Sequence, residues 1–218
     1  LLWTTAEFDT DYVMLAARIL VNPEDPADIE IVNDLQRRLL VTSASSRAFE
    51  LPPYDEASLD ATRNALLELG AGLGGLERCF GTKSAVDPVR HLIGTALGWG
   101  GLPEHEASYI MVSPNLAVGR YPLTIGEVPV DGFWSISLYN ADGYFEQNPL
   151  GAYSIDNIVG TRNDDGTFTV TFGGGDGDPN VLPVMPGWNY LVRLYRPRAE
   201  VLDGTWSFPG LDESPPAG

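Results

Sequence analysis

The chain has 218 residues, 44% of them hydrophobic, enough to bury a core in one domain or in one domain with a helical subdomain. Charged residues make up 20%, yet 30 acids stand against 13 bases, only one of them a lysine (Lys83), and the formal net charge is −17. A surface of that sign repels phosphate backbones, which argues against nucleic-acid binding and against docking on an anionic membrane.

Glu7 to Leu20 carries Phe8, Tyr12, Leu15 and Ile19 at helical spacing, which predicts a first helix ended by Asn22-Pro23. Asp28 is a candidate cap for a second, with Ile29, Val32, Leu35 and Leu39 on one face and Arg37 and Arg38 outside. Leu51-Pro52-Pro53 connects to a third, started by Asp55 or Ser58. It turns Leu59, Leu66 and Leu69 inward and stops in the run Gly70, Gly72, Gly74 and Gly75. Asp87-Pro88 is an N-cap acid followed by proline, and starts a fourth helix that ends near Gly98-Trp99-Gly100.

From Tyr109 onward the chain favours β-branched and aromatic residues. Strands are expected at Ser108–Val112, Phe133–Asn140, Tyr153–Asn157, Phe168–Phe172, Tyr190–Tyr195 and near Thr205–Ser207. Trp134, Ile136 and Leu138 alternate with Ser135, Ser137 and Tyr139, so the two sets belong to opposite faces. Asn163-Asp164-Asp165-Gly166 suits a tight hairpin turn. The class is therefore α+β: an N-terminal helical segment, then many short strands with regular turns, which point to an antiparallel sandwich or barrel. The expected division is a mainly helical subdomain over 1–107 packed on the β part, the β part over 108–210, and a flexible tail over 211–218. The chain begins Leu1-Leu2-Trp3, without methionine, which fits a removed leader or a piece of a longer chain. No apolar run is long enough to span a membrane, and a periplasmic or extracellular setting is favoured over the cytoplasm.

Several segments, in order and at fitting distances, resemble a known family. They are Gly132-Phe133-Trp134-Ser135-Ile136-Ser137-Leu138-Tyr139, Asp142-Gly143-Tyr144-Phe145, Asn148-Pro149, Asn163-Asp164-Asp165-Gly166-Thr167, Arg193-Leu194-Tyr195-Arg196-Pro197 and Leu202-Asp203-Gly204-Thr205-Trp206. The set resembles the domain of unknown function 1214, often found beside a companion domain, number 1254. The resemblance implies a jelly-roll sandwich with helices attached and implies no chemistry. Two positions depart from the family: Ala152 stands where it tends to carry arginine, and Val181 where it tends to carry tryptophan. A family site built on those two residues would be altered here.

Candidate chemistry is sparse. A single cysteine, Cys79, excludes an intrachain disulfide and reads as a small buried thiol. His91 and His105 are the only histidines, too few for a zinc or iron set, and Glu104-His105-Glu106 reads as an exposed turn. Gly173-Gly174-Gly175-Asp176-Gly177-Asp178 lacks the spacing of a calcium loop and reads as a hairpin with solvated acids. Ser43, Ser45 and Ser46 have no base, and Gly70–Gly75 lacks the lysine of a phosphate loop. The pairs Asp164/Asp165 and Asp176/Asp178 are explained by turn chemistry. No cofactor is implied and no metal site is assigned.

The aromatics of the β half leave one opening: a cleft for a small molecule or glycan, with Tyr139 and Tyr153 as its rings and Asn180 and Arg193 as polar anchors. Arg193 lies between Val192 and Leu194. It points to solvent by alternation, or it is partly buried and paired with Asp142 or Asp156. The favoured function is a non-catalytic binding or assembly module. The alternatives are a carboxylate-dependent hydrolase acting on carbohydrate, and a self-associating envelope or extracellular protein. A homo-oligomer or a companion domain on another chain would fit either binding or assembly.

Overall fold

The fold is that of a computed structural model, which describes residues 12–45, 47–73, 75–175 and 177–211. The start of the first expected helix, Ser46, Gly74, Asp176 and the expected tail from residue 212 lie outside these. The chain divides into two units, Leu1–Asp55 and Glu56–Gly218. The described residues hold four helices and seven strands in two sheets. No described helix is long and apolar enough to cross a membrane.

In the first unit, helix α1 spans Pro26–Arg38. Its cap is Asp25, not Asp28: the Asp25 carboxylate accepts from the Ala27 amide at 2.9 Å and Pro26 opens the helix. Asp28 sits in the first turn and accepts from the Asn22 amide at 2.7 Å. Arg37 and Arg38 fall in the last turn, where the helix dipole favours them. The helix expected over Glu7–Leu20 does not form in its described part. Residues 12–20 carry no helix, and Tyr12, Val13, Met14 and Leu15 are exposed. A short helix with no buried face is marginal in water.

In the second unit, α2 covers Glu56–Gly70 and α3 covers Pro88–Gly98. Asp87 caps α3 as expected, accepting from the amides of Val89 and Arg90. Leu59 and Leu69, expected inside, are exposed; Leu66, Leu67 and Gly70 are the shielded positions of α2. Cys79 is fully buried against α3. A Cβ on Gly94 would lie 2.7 Å from the cysteine's own Cβ, so only glycine permits that approach.

The strands are β1 (Ala107–Val112), β2 (Tyr121–Ile125), β3 (Trp134–Tyr139), β4 (Ser154–Asp156), β5 (Phe168–Phe172), β6 (Val181–Leu182) and β7 (Asn189–Tyr195), followed by a short helix α4 (Ala199–Leu202). One sheet has the order β1-β7-β3-β4, all antiparallel; the other has the order β2-β5-β6. The pair β5–β6 is parallel, so the expectation of antiparallel pairing fails there. Between the two strands, Gly173 (φ 66°), Gly177 (φ 99°) and Asn180 (φ 50°) take left-handed backbone.

Each sheet gives its apolar face to one shared core. Trp134, Ile136, Leu138, Tyr190, Val192 and Leu194 come from the first sheet, and Leu123, Ile125, Phe168, Val170, Phe172 and Leu182 from the second. Rings cross between them: Trp134 meets Phe168 edge-on at 5.3 Å and Phe172 meets Tyr190 at 4.8 Å. Burying one such side chain stabilises the fold by about 1.5–3 kcal/mol. Thr205–Ser207 is not a strand. The Asp203 carboxylate holds the Thr205 amide and hydroxyl at 2.9 and 2.7 Å, and that local turn competes with pairing.

Candidate functional site

The outer face of the four-stranded sheet is where the sequence leaves polar and aromatic groups together. Alternation along β3 sends Trp134, Ile136 and Leu138 into the core and Ser135, Ser137 and Tyr139 outward. Register then fixes the neighbours, because directly opposed residues of an antiparallel pair share a face. Tyr109 of β1 opposes Arg193 of β7, Arg193 opposes Ser135 of β3, and Ser135 opposes Asp156 of β4.

Arg193 is half-buried in this row. It donates from Nη1 to the Ser137 hydroxyl at 2.7 Å and from Nη2 to the Tyr139 hydroxyl at 2.8 Å. It is therefore not paired with Asp142 or Asp156. The Asp156 carboxylate instead accepts from the amides of Ile158 and Val159 at 2.8 and 3.0 Å, which closes a turn. Hydrogen direction follows from the partners. Ser154 donates to the carbonyl of Ile136 at 2.9 Å, so its oxygen accepts from Ser137 at 3.1 Å, and Ser137 in turn accepts from Arg193. Tyr139 accepts from Arg193 and Tyr109 accepts from the Leu102 amide at 2.9 Å. Neither phenol donates to a described residue, so both keep an O–H to offer.

Aromatic pairs flank this polar floor. Tyr139 stacks on Phe145 at 4.9 Å with planes 5° apart, and Phe145 meets Tyr153 at 5.6 Å. At the other end Phe133 stacks on Tyr195 at 4.3 Å. From Phe133 through β3 to Tyr139 the outward sequence is therefore large, small, small, large, and the two ends are about 20 Å apart on an extended chain. Ser135 and Ser137 form the floor at 8% and 4% exposure. Phe145 is 52% exposed and belongs to no core.

Of the four residues expected to bind a ligand, Tyr139 and Arg193 meet on this face, and Tyr153 is linked to them only through Phe145, whose ring lies 5.6 Å from its own. Asn180 stands apart, beside the second sheet. Its amide donates to the carbonyls of Thr161 and Thr169 and its oxygen accepts from the Thr161 amide. That is a brace for the turn into β6. Phe145, Ser137 and Tyr109 are the members that reading single residues did not bring out; the outward pattern of β3 was the available signal for a floor between rings.

The acidic turns hold themselves. Arg120 donates to Asp178 at 2.7 and 3.2 Å, Asp178 also accepts from the Gly175 amide, and the arginine's bonds hold the Asp178 carboxyl below its ordinary range. The Asp165 carboxyl is lowered in the same sense by the Thr167 hydroxyl and amide. No group of three or more His, Cys, Asp or Glu is placed to hold a metal among the described residues. Burial pushes the Cys79 thiol up, and the His91 Nδ1 lies 2.7 Å from the cysteine's carbonyl, not its sulfur. His105 is exposed beside Glu106.

A family model described as protein of unknown function (DUF1214) matches residues 115–199, which bears out the resemblance over β2 to β7 and includes Tyr139, Phe145, Tyr153 and Arg193. A crystal structure of the VPA0106 protein from Vibrio parahaemolyticus is similar over 74% of this chain, with a TM-score of 0.56 and 23% identity. The match covers 46% of that protein, so this chain spans about half its length. An uncharacterized protein from Burkholderia cenocepacia matches 45% of this chain and 28% of its own, at 21% identity and a TM-score of 0.37. No curated protein matches.

Proposed function

We propose that the chain is a non-catalytic binding module for a small molecule or glycan, built on a β-sandwich of jelly-roll type over residues 108–210. Support for the sandwich is the single core shared by two sheets. The observation that carries the binding role is a chain of contacts outside the core, in which Arg193 bonds Tyr139, Tyr139 stacks on Phe145 and Phe145 meets Tyr153. Partly exposed rings beside a few fixed polar groups are the ordinary make-up of a ligand site. Tyr139, Tyr153 and Arg193 are its binding residues; the Asn180 amide is already engaged in its turn.

The test is saturation-transfer NMR with a panel of monosaccharides, oligosaccharides and small ring compounds, on the wild-type chain and on Phe145→Ala. Saturation transfer to some panel members, weakened by the substitution, is the expected result. A panel that gives no transfer, or transfer unchanged in Phe145→Ala, removes the reading. Light scattering over a concentration series separates the assembly alternative, which requires the mass to rise without ligand.

A further inference from the structure

We infer that this face takes its ligand by a single carboxylate, seated on Arg193 and the Tyr139 hydroxyl, with the ligand's ring body against the Tyr139–Phe145 stack. The inference rests on the binding role proposed above and names the class of ligand. Arg193 is a half-buried cation whose only described partners are two neutral hydroxyls. Arg37, Arg90, Arg120 and Arg198 each meet a carboxylate within 4.0 Å. Among the described arginines only Arg90 is shielded as Arg193 is, and Arg90 has the Glu77 carboxylate at 2.9 Å where Arg193 has no acid. Holding a cation away from bulk water without a counter-charge is costly, and an anion from outside removes that cost.

The hydrogen inventory points the same way. A guanidinium has five N–H groups; two are used here, and the rest have no acceptor among the described residues. Ser137 has its hydrogen directed to Ser154, so its oxygen is fixed as an acceptor for Arg193. Tyr139 has its oxygen engaged and its hydrogen free. What the site offers a ligand is donors, arranged beside a planar fork that fits a carboxylate. The net charge of −17 sets the upper limit on ligand charge: it repels polyanions and leaves a monoanion as the fitting class.

Matched acids and amides test this: phenylacetate against phenylacetamide, and indole-3-acetate against indole-3-acetamide. Binding is followed by amide shift changes in the wild-type chain, Arg193→Gln and Phe145→Ala. The acids are expected to bind about tenfold to a hundredfold more tightly than their amides, shifting residues 137–139 and 192–194. Arg193→Gln, with its fold confirmed by circular dichroism, erases the acid–amide difference. Phe145→Ala weakens both members of each pair alike. Equal binding of acid and amide on this face overturns the carboxylate inference and leaves the binding role standing. Acids that shift other residues, or keep their advantage in Arg193→Gln, also overturn it. No shift on this face with any probe overturns the inference and counts against the binding role too.

Discussion

Strand β7 presents two faces with opposite fates. Tyr190, Val192 and Leu194 point into the core and are sealed; Leu191, Arg193 and Tyr195 point out and are only half-covered. The register that places Val192 against Ile136 also places Arg193 against Ser135. Folding energy and recognition chemistry thus share a backbone but not a face. The teaching is that substitutions one residue apart should separate stability from binding.

The inner face should give the largest losses. Phe172→Ala removes a ring that meets Trp188 and Tyr190, and should cost about 3–5 kcal/mol in denaturant unfolding. Leu194→Ala should follow at about 2–5 kcal/mol. Tyr190 gives the same face a pH signature. Burial raises its hydroxyl to about 12 from an ordinary 10.0. The unfolded chain therefore loses this proton first, and stability that is complete below pH 10.0 should fall as pH rises towards 12. Tyr190→Phe should flatten that fall in a thermal-melt series. Arg193→Gln, beside the sealed Val192 and Leu194, should cost only about 1 kcal/mol while removing carboxylate binding. A loss as large as that of Leu194→Ala would break the separation of faces. The smallest effect should come from acid. The Asp131 and Asp178 carboxyls lie below their ordinary 3.8 because arginines bond them, so their contribution is full above 3.8 and fades as pH falls further. These pairs are exposed, so added salt should mask the effect.

The sequence made the two faces of β3 legible because alternation is local and strict. It made α3 legible through Asp87-Pro88. It did not show β2, whose Pro122 argues against a strand until β2 is seen to be a sheet edge, where proline is tolerated. The two residues of β6 are too few to carry a period. The helix expected before Asn22 had the right spacing and no buried face to sustain it over its described residues. At the site, single residues were readable and pairings were not. Arg193 could be suspected between apolar neighbours, but its choice of Ser137 and Tyr139 over an acid depends on cross-strand register. Phe145 enters through a loop whose path no local pattern encodes.

By composition, the run from Gly173 to Gly177 would be a natural place to cut the chain for circular permutation or to insert a tag. At Gly173 the structure advises against it. A Cβ there would sit 1.9 Å from the carbonyl oxygen of Gly119, and the backbone is left-handed. A saturation library should come back nearly empty at that codon. Gly166, in the turn after Asn163 with nothing within 4 Å of an added Cβ, is the better graft point, and its own left-handed φ argues for keeping the glycine beside the insert.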